Sequence, residues 1–179
     1  RVNAQLLAPH GALTVADIPV TANVGPQLLD RTGARAALAY LRLASATTMA
    51  TTDLLEVYRR PSRALPQWFP ERLEQRDAWS PSQLRSLAER VGDRYRDKVL
   101  RFVTDLEAVR GSGGDTAELL RRVRTTVGLG RAADLLDGTR TGGSGSHGDD
   151  LEALEQVAAL HPDPTGFEAW LRAVLDAPD

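Results

Sequence analysis

The chain has no cysteine. That excludes a disulfide framework, a thiolate metal site and a cysteine nucleophile, and it agrees with a reducing, cytoplasmic setting. Lys98 is its one lysine, and every other cation is an arginine, which a GC-rich coding sequence explains without selection for guanidinium chemistry. No apolar run reaches the roughly 18 residues of a membrane span, and no cationic leader followed by an apolar core opens the chain. A G-x-x-x-x-G-K-[ST] phosphate cradle, an H-E-x-x-H zinc motif and a G-x-S-x-G elbow are all missing. His10, His147 and His161 read as three separate loop residues without ligand spacing, so no metal is expected. Ser146 and His147 are neighbours in a loop with no orienting acid, so nucleophilic catalysis is not expected either. Asp149, Asp150 and Glu152 read as the carboxylates that a helix N-terminus favours. Gly128-Leu129-Gly130 follows no strand and reads as a helix break. The chain itself is expected to hydrolyse nothing and to hold no cofactor.

The 179 residues suit one domain with a short appendage, and a hydrophobic fraction of 42% is enough for a core. The net charge of -2 excludes a surface that traps phosphate everywhere, so any nucleic-acid contact must be local. The pattern predicts a mostly α chain, an irregular multi-helix domain with one or two short strands near the N-terminus. The one extended segment is Asp17 to Val24, confined to a sheet edge or strand start by Pro19. Helices are predicted from about Gln27 to Ala44, with a break at Gly33, and from Thr51 or Thr52 to Tyr58. Ser80-Pro81-Ser82-Gln83 is a capping-box start, Asp93 caps a long helix to Val109, and Asp115-Thr116-Ala117-Glu118 resembles a second capping box that leads a helix to about Val127. A short helix through Leu136 follows, then one from Asp149 or Asp150 to Leu160. A third capping box, Thr165 to Glu168, opens the last helix.

The segment richest in chemistry is Arg59-Arg60-Pro61-Ser62-Arg63-Ala64-Leu65-Pro66-Gln67-Trp68-Phe69. Arginine offers phosphate a planar fork of donors. The prolines stop helices on either side and stiffen the backbone. A rigid basic turn between helices is expected, with Arg59, Arg60, Arg63, Gln67 and Trp68 as the candidate DNA-contacting residues. The other reading is an interhelical turn with solvated arginines. Trp68 reads either as a core aromatic or as a stacking platform for an unpaired base.

Several segments together resemble the UvrD/Rep/PcrA helicases of superfamily 1. Arg1-Val2-Asn3-Ala4-Gln5 is similar to that family's R-x-N-A-Q. Ile18-Pro19-Val20, Gly25, Asp30-Arg31 and Ala37-Leu38-Ala39-Tyr40-Leu41-Arg42-Leu43 resemble I-P-Y…G-G…F-E-R…A-L-x-Y-L-R. Leu54 to Arg63, Val127-Gly128-Leu129, Asp150 to Leu154 and Phe167 to Leu175 follow in the family's order. The resemblance implies a 2B accessory domain over 18–175, with a flexible loop at 138–148, a tail at 176–179 and a remnant of the 2A motor domain over 1–17. The chain then reads as a piece of a longer protein. By the same resemblance the parent is an ATP- and Mg-dependent 3′-to-5′ DNA helicase in repair or recombination, with the ATPase residues in other domains. The 2B domain contacts duplex or fork DNA through its backbone, touches domains 1B and 2A, and regulates unwinding by swivelling. The alternative is a docking module of the same helicase without direct DNA contact. The family's duplex-contacting T-P-x-R-G-I-G is here Arg60-Pro61-Ser62-Arg63-Ala64-Leu65-Pro66. Both glycines are lost, and with them the easy approach of backbone amides to phosphate. Side chains must then make the contacts, positioning a duplex without reading its sequence.

Overall fold

A computed structural model describes residues 4–16, 18, 26–111, 113–138 and 147–176. The expected strand at 17–24 lies outside these residues apart from Ile18, and so does all of the 138–148 loop except its two ends. The described residues form ten α-helices: α1 Leu7–Val15, α2 Thr32–Ser45, α3 Thr51–Val57, α4 Phe69–Leu73, α5 Pro81–Arg90, α6 Asp93–Arg110, α7 Thr116–Thr125, α8 Leu129–Gly138, α9 His147–Ala158 and α10 Phe167–Leu175. Turns of 3-10 helix cover Ala4–Leu6 and Pro26–Leu28. One antiparallel pair, β1 Met49–Ala50 with β2 Ala78–Trp79, is the sheet among the described residues. It lies away from the N-terminus and consists of two residues a side.

The centre is α2. Its Ala34, Ala36, Ala37, Leu38, Ala39, Tyr40, Leu41 and Leu43 are all buried. A helix apolar on most of its circumference has to be covered on several sides, and small alanines let neighbours approach closely. On one side α2 packs on α3 and α6, which carry α4, α5 and the small sheet. On the other it packs on α7, α8 and α9, with α1 and α10 beyond α9. One hydrophobic cluster runs from Ala4 to Leu175 through both groups. Phe69 and Phe102 anchor the first group, edge to face with centroids 5.6 Å apart.

Some helix starts follow local sequence. The Ser80 hydroxyl accepts from the Gln83 amide at 3.2 Å, and the Gln83 side chain accepts from the Ser80 amide at 2.9 Å. Asp115 accepts from the Glu118 amide at 2.8 Å. Others differ because distant partners take the capping groups. The Thr51 hydroxyl donates to the Arg76 carbonyl, tying α3 to the turn after α4. Thr165 does not cap α10, and Glu168 pairs with Arg42 of α2 and Arg172 instead. Asp93 lies inside the first turn of α6, behind Gly92 at the N-cap. Helix α1 went unpredicted, and it places His10 in a buried helical position rather than a loop. His147 likewise opens α9.

Candidate nucleic-acid interface

The turn between α3 and α4 is held from inside. Tyr40 of α2 donates its hydroxyl to the Arg60 carbonyl at 2.8 Å and accepts from Arg63 Nη2 at 2.9 Å. Arg63 Nε donates to Asp105 Oδ2 of α6 at 2.7 Å, and Nη1 donates to the Pro61 carbonyl at 3.0 Å. The guanidinium carbon also lies 5.3 Å from the Phe102 ring centroid. With its side chain 2% exposed, Arg63 presents no donor to solvent. The expected phosphate contact by Arg63 is therefore corrected: the residue is the core strut of the turn. Burial pushes the Tyr40 phenol up to about 12, against the lowering effect of the Arg63 charge and hydrogen bond. Ala64 takes a left-handed φ of +50°, a conformation that ordinarily favours glycine.

The other turn residues face outward to different degrees. Arg59 is exposed over the Tyr58 ring, 5.1 Å from its centroid. Arg60 is part-exposed and held by the Glu56 carboxylate and carbonyl, and Glu56 also receives Arg35. Gln67 is exposed. Trp68 is half-buried, packed on the core and edge-on to Tyr95 of α6 at 6.1 Å. The turn therefore brings Arg59, Gln67 and the rim of Trp68 to the surface, Arg60 in part, and Arg63 not at all.

The surface around the turn is basic beyond what the short motif indicates. Residues 58–101 hold 11 of the 22 cationic side chains but 6 of the 24 carboxylates. Elsewhere among the described residues nearly every arginine has a carboxylate partner, as with Arg31–Asp150, Arg42–Asp53 and Arg124–Glu155. Outside this stretch Arg110, which donates to the Leu43 and Thr47 carbonyls, and Arg131 have no carboxylate partner among the described residues. Within it, Arg59, Arg72, Arg76, Arg90, Arg94, Lys98 and Arg101 have no ion-pair partner among the described residues. Arg94 and Lys98 flank the Tyr95 ring, 5.3 and 5.9 Å from its centroid, and Tyr95 touches Trp68. Trp68 also opens onto a groove of about 850 Å³ between α4 and α5, lined in part by Arg72, Arg76 and Arg90. Sequence reasoning centred on the eleven-residue motif missed these cations; a running count of charge along the chain finds them.

No group of three or more His, Asp or Glu side chains suited to a metal ion occurs among the described residues, and no described helix is long and apolar enough to cross a membrane. A second depression, of about 590 Å³, lies over α2, α3 and α10 and is lined by the interlocked ion pairs of Arg35, Arg42, Arg172, Asp53, Glu56 and Glu168. There burial raises Glu168, but the Arg172 hydrogen bond and the Arg42 charge outweigh it and hold the carboxyl below its ordinary value.

The fold and surface together define a helical module with one cation-rich, aromatic-edged lobe. Protein-family models, curated proteins and solved structures contain no match to the chain.

Proposed function

We propose that this chain is a non-catalytic DNA-backbone-binding module, the 2B accessory domain of an ATP-dependent 3′-to-5′ DNA helicase in the cytoplasm. In that role it contacts duplex or fork DNA and regulates unwinding by reorientation against the 1B and 2A domains. The observation that carries the DNA-binding part is the concentration of unpaired cations on residues 58–101 of a chain that is acidic as a whole. Free guanidinium groups on one lobe suit a repeating anion, and an electrostatic footprint is the first mark of a nucleic-acid binder. The helicase part rests on the co-linear resemblance alone, and ATP and Mg²⁺ chemistry belongs on this reading to other domains. The duplex-facing set is Arg59, Arg60 and Gln67, with Trp68 at its edge.

Duplex binding measured against salt tests the proposal. Each phosphate neutralised contributes about 0.9 to the slope of log affinity against log salt. The Arg59→Ala, Arg60→Ala pair should flatten that slope by about 1 to 2, the lower figure applying where Glu56 already neutralises Arg60. No duplex binding at low salt would overturn it. The second reading, an interdomain docking surface, is favoured by that same Glu56–Arg60 pairing. It requires the Arg59 and Arg60 variants to leave duplex binding unchanged.

A further inference from the structure

The α4–α5 groove differs in character from the turn beside it. Arg72 and Arg76 line it from α4 and the turn that follows, and Arg90 lines it from the end of α5. Glu71 is the sole carboxylate of the lining. Among the described residues Arg72 donates only to Gln75, at 3.4 Å, and Arg90 only to the Ser86 carbonyl, at 3.1 Å. The Arg76 guanidinium carbon lies 5.4 Å from the Trp79 ring centroid. Below the cations the lining is apolar: Trp79 is buried, and Trp68, Leu87 and Val91 pack against the core while remaining part-exposed. Two side-chain amides, Gln75 and Gln83, lie between.

Cations, an apolar aromatic bed and amide groups answer three different parts of one ligand. We propose that the groove binds a segment of single-stranded DNA. Its phosphates lie on Arg72, Arg76 and Arg90, a base rests against Trp68, and base edges meet the Gln75 and Gln83 amides. A duplex hides its base faces in the stack and offers this bed nothing, so it crosses the rim without entering. An acidic peptide satisfies the arginines but leaves the Trp68 edge and the apolar bed uncovered. Trp68 belongs to both surfaces, so a strand leaving a duplex held at Arg59 and Arg60 passes directly into the groove. This inference rests on the DNA-binding reading above and adds the strand that the groove selects.

Fluorescence anisotropy with labelled oligothymidylate, a blunt duplex and a polyglutamate peptide tests it on the whole chain. The Arg72→Ala, Arg76→Ala, Arg90→Ala variant should lose at least tenfold in oligothymidylate affinity. Its salt slope should flatten by about 2, since each single-strand phosphate contributes about 0.7. Its duplex binding should stay within about twofold of the parent chain's. The Arg59→Ala, Arg60→Ala variant should show the reverse pattern. Removing the Trp68 ring should cost roughly 5- to 150-fold for the single strand, and Trp68→Phe should restore much of it. Glu71→Gln should tighten single-strand binding, a gain that misfolding cannot produce. Equal loss of single-strand and duplex binding in the groove variant would overturn the assignment. So would oligothymidylate binding no tighter than duplex, or polyglutamate binding tighter than oligothymidylate. Loss of duplex binding in the turn variant with single-strand binding intact leaves the groove standing by itself. The opposite result leaves only the turn.

Discussion

Arg63→Ala is the most informative single substitution, because sequence and structure assign the residue opposite roles. The guanidinium joins Asp105, the Tyr40 hydroxyl and the Pro61 carbonyl, and its side chain is 2% exposed. Removing one partner of a buried ion pair costs about 3–5 kcal/mol, since the remaining charge is left uncompensated. Asp105 is 22% exposed, so water recovers part of its solvation and the lower end, about 3 kcal/mol, applies. For a chain of this size each kcal/mol moves the melting temperature by about 2–4 °C, which gives a fall of roughly 6–12 °C. Thermal unfolding by circular dichroism reads this directly. A double-mutant cycle with Asp105→Ala should show the two changes strongly non-additive, while Arg59→Ala should leave the melting temperature nearly unchanged. An Arg63→Ala protein that melts within about 2 °C of the parent and has a flatter salt slope for DNA would refute the inward placement. Arg63 would then be a phosphate contact.

Three further outcomes follow from buried or constrained groups. The Tyr40 phenol, raised to about 12, should titrate well above an ordinary phenol in ultraviolet difference absorbance. Because the folded state holds this proton more tightly than the unfolded one, its contribution is intact below about pH 10 and is lost as pH rises toward 12. Asp150 is buried with Oδ1 on Arg31 at 2.7 Å and Oδ2 without a hydrogen-bond partner among the described residues. Burial raises its carboxyl against the pull of Arg31, so Arg31→Ala should destabilise the fold near neutral pH and less so as the carboxyl protonates in acid, read by denaturant midpoints at both pH values. Gly128 has a φ of +87° with open space around its missing Cβ, so Gly128→Ala should cost about 1–2 kcal/mol from backbone strain alone, measured by urea unfolding.

Much of the helical layout is legible from local pattern. The Ser80–Gln83 capping box and the Asp115 cap form as local sequence dictates, because their partners are three residues away. The buried stripe of α6, with Val99, Phe102, Val103, Leu106 and Val109, follows directly from helical spacing. Thr51, Asp93 and Thr165 depart from their expected capping roles. In the first and last cases the groups involved found partners far along the chain. The candidate site was legible as a basic turn between helices, but not in its orientation. Nothing in Arg59-Arg60-Pro61-Ser62-Arg63 distinguishes the arginine that faces water from the one that faces Tyr40 and Asp105, which lie 23 residues before and 42 after Arg63.

Composition and spacing alone determined a mostly helical chain, the absence of cysteine chemistry and the need for any anion-binding surface to be local. These follow from residue type and short-range periodicity. The tertiary structure decided which charges are free. A guanidinium's availability depends on whether a carboxylate from another helix reaches it, and long-range packing sets that. Arg63 is removed from the surface by α2 and α6, Arg60 is half-neutralised by Glu56, and Arg72, Arg76 and Arg90 gather with Trp68 on one groove because the segments that carry them line it together.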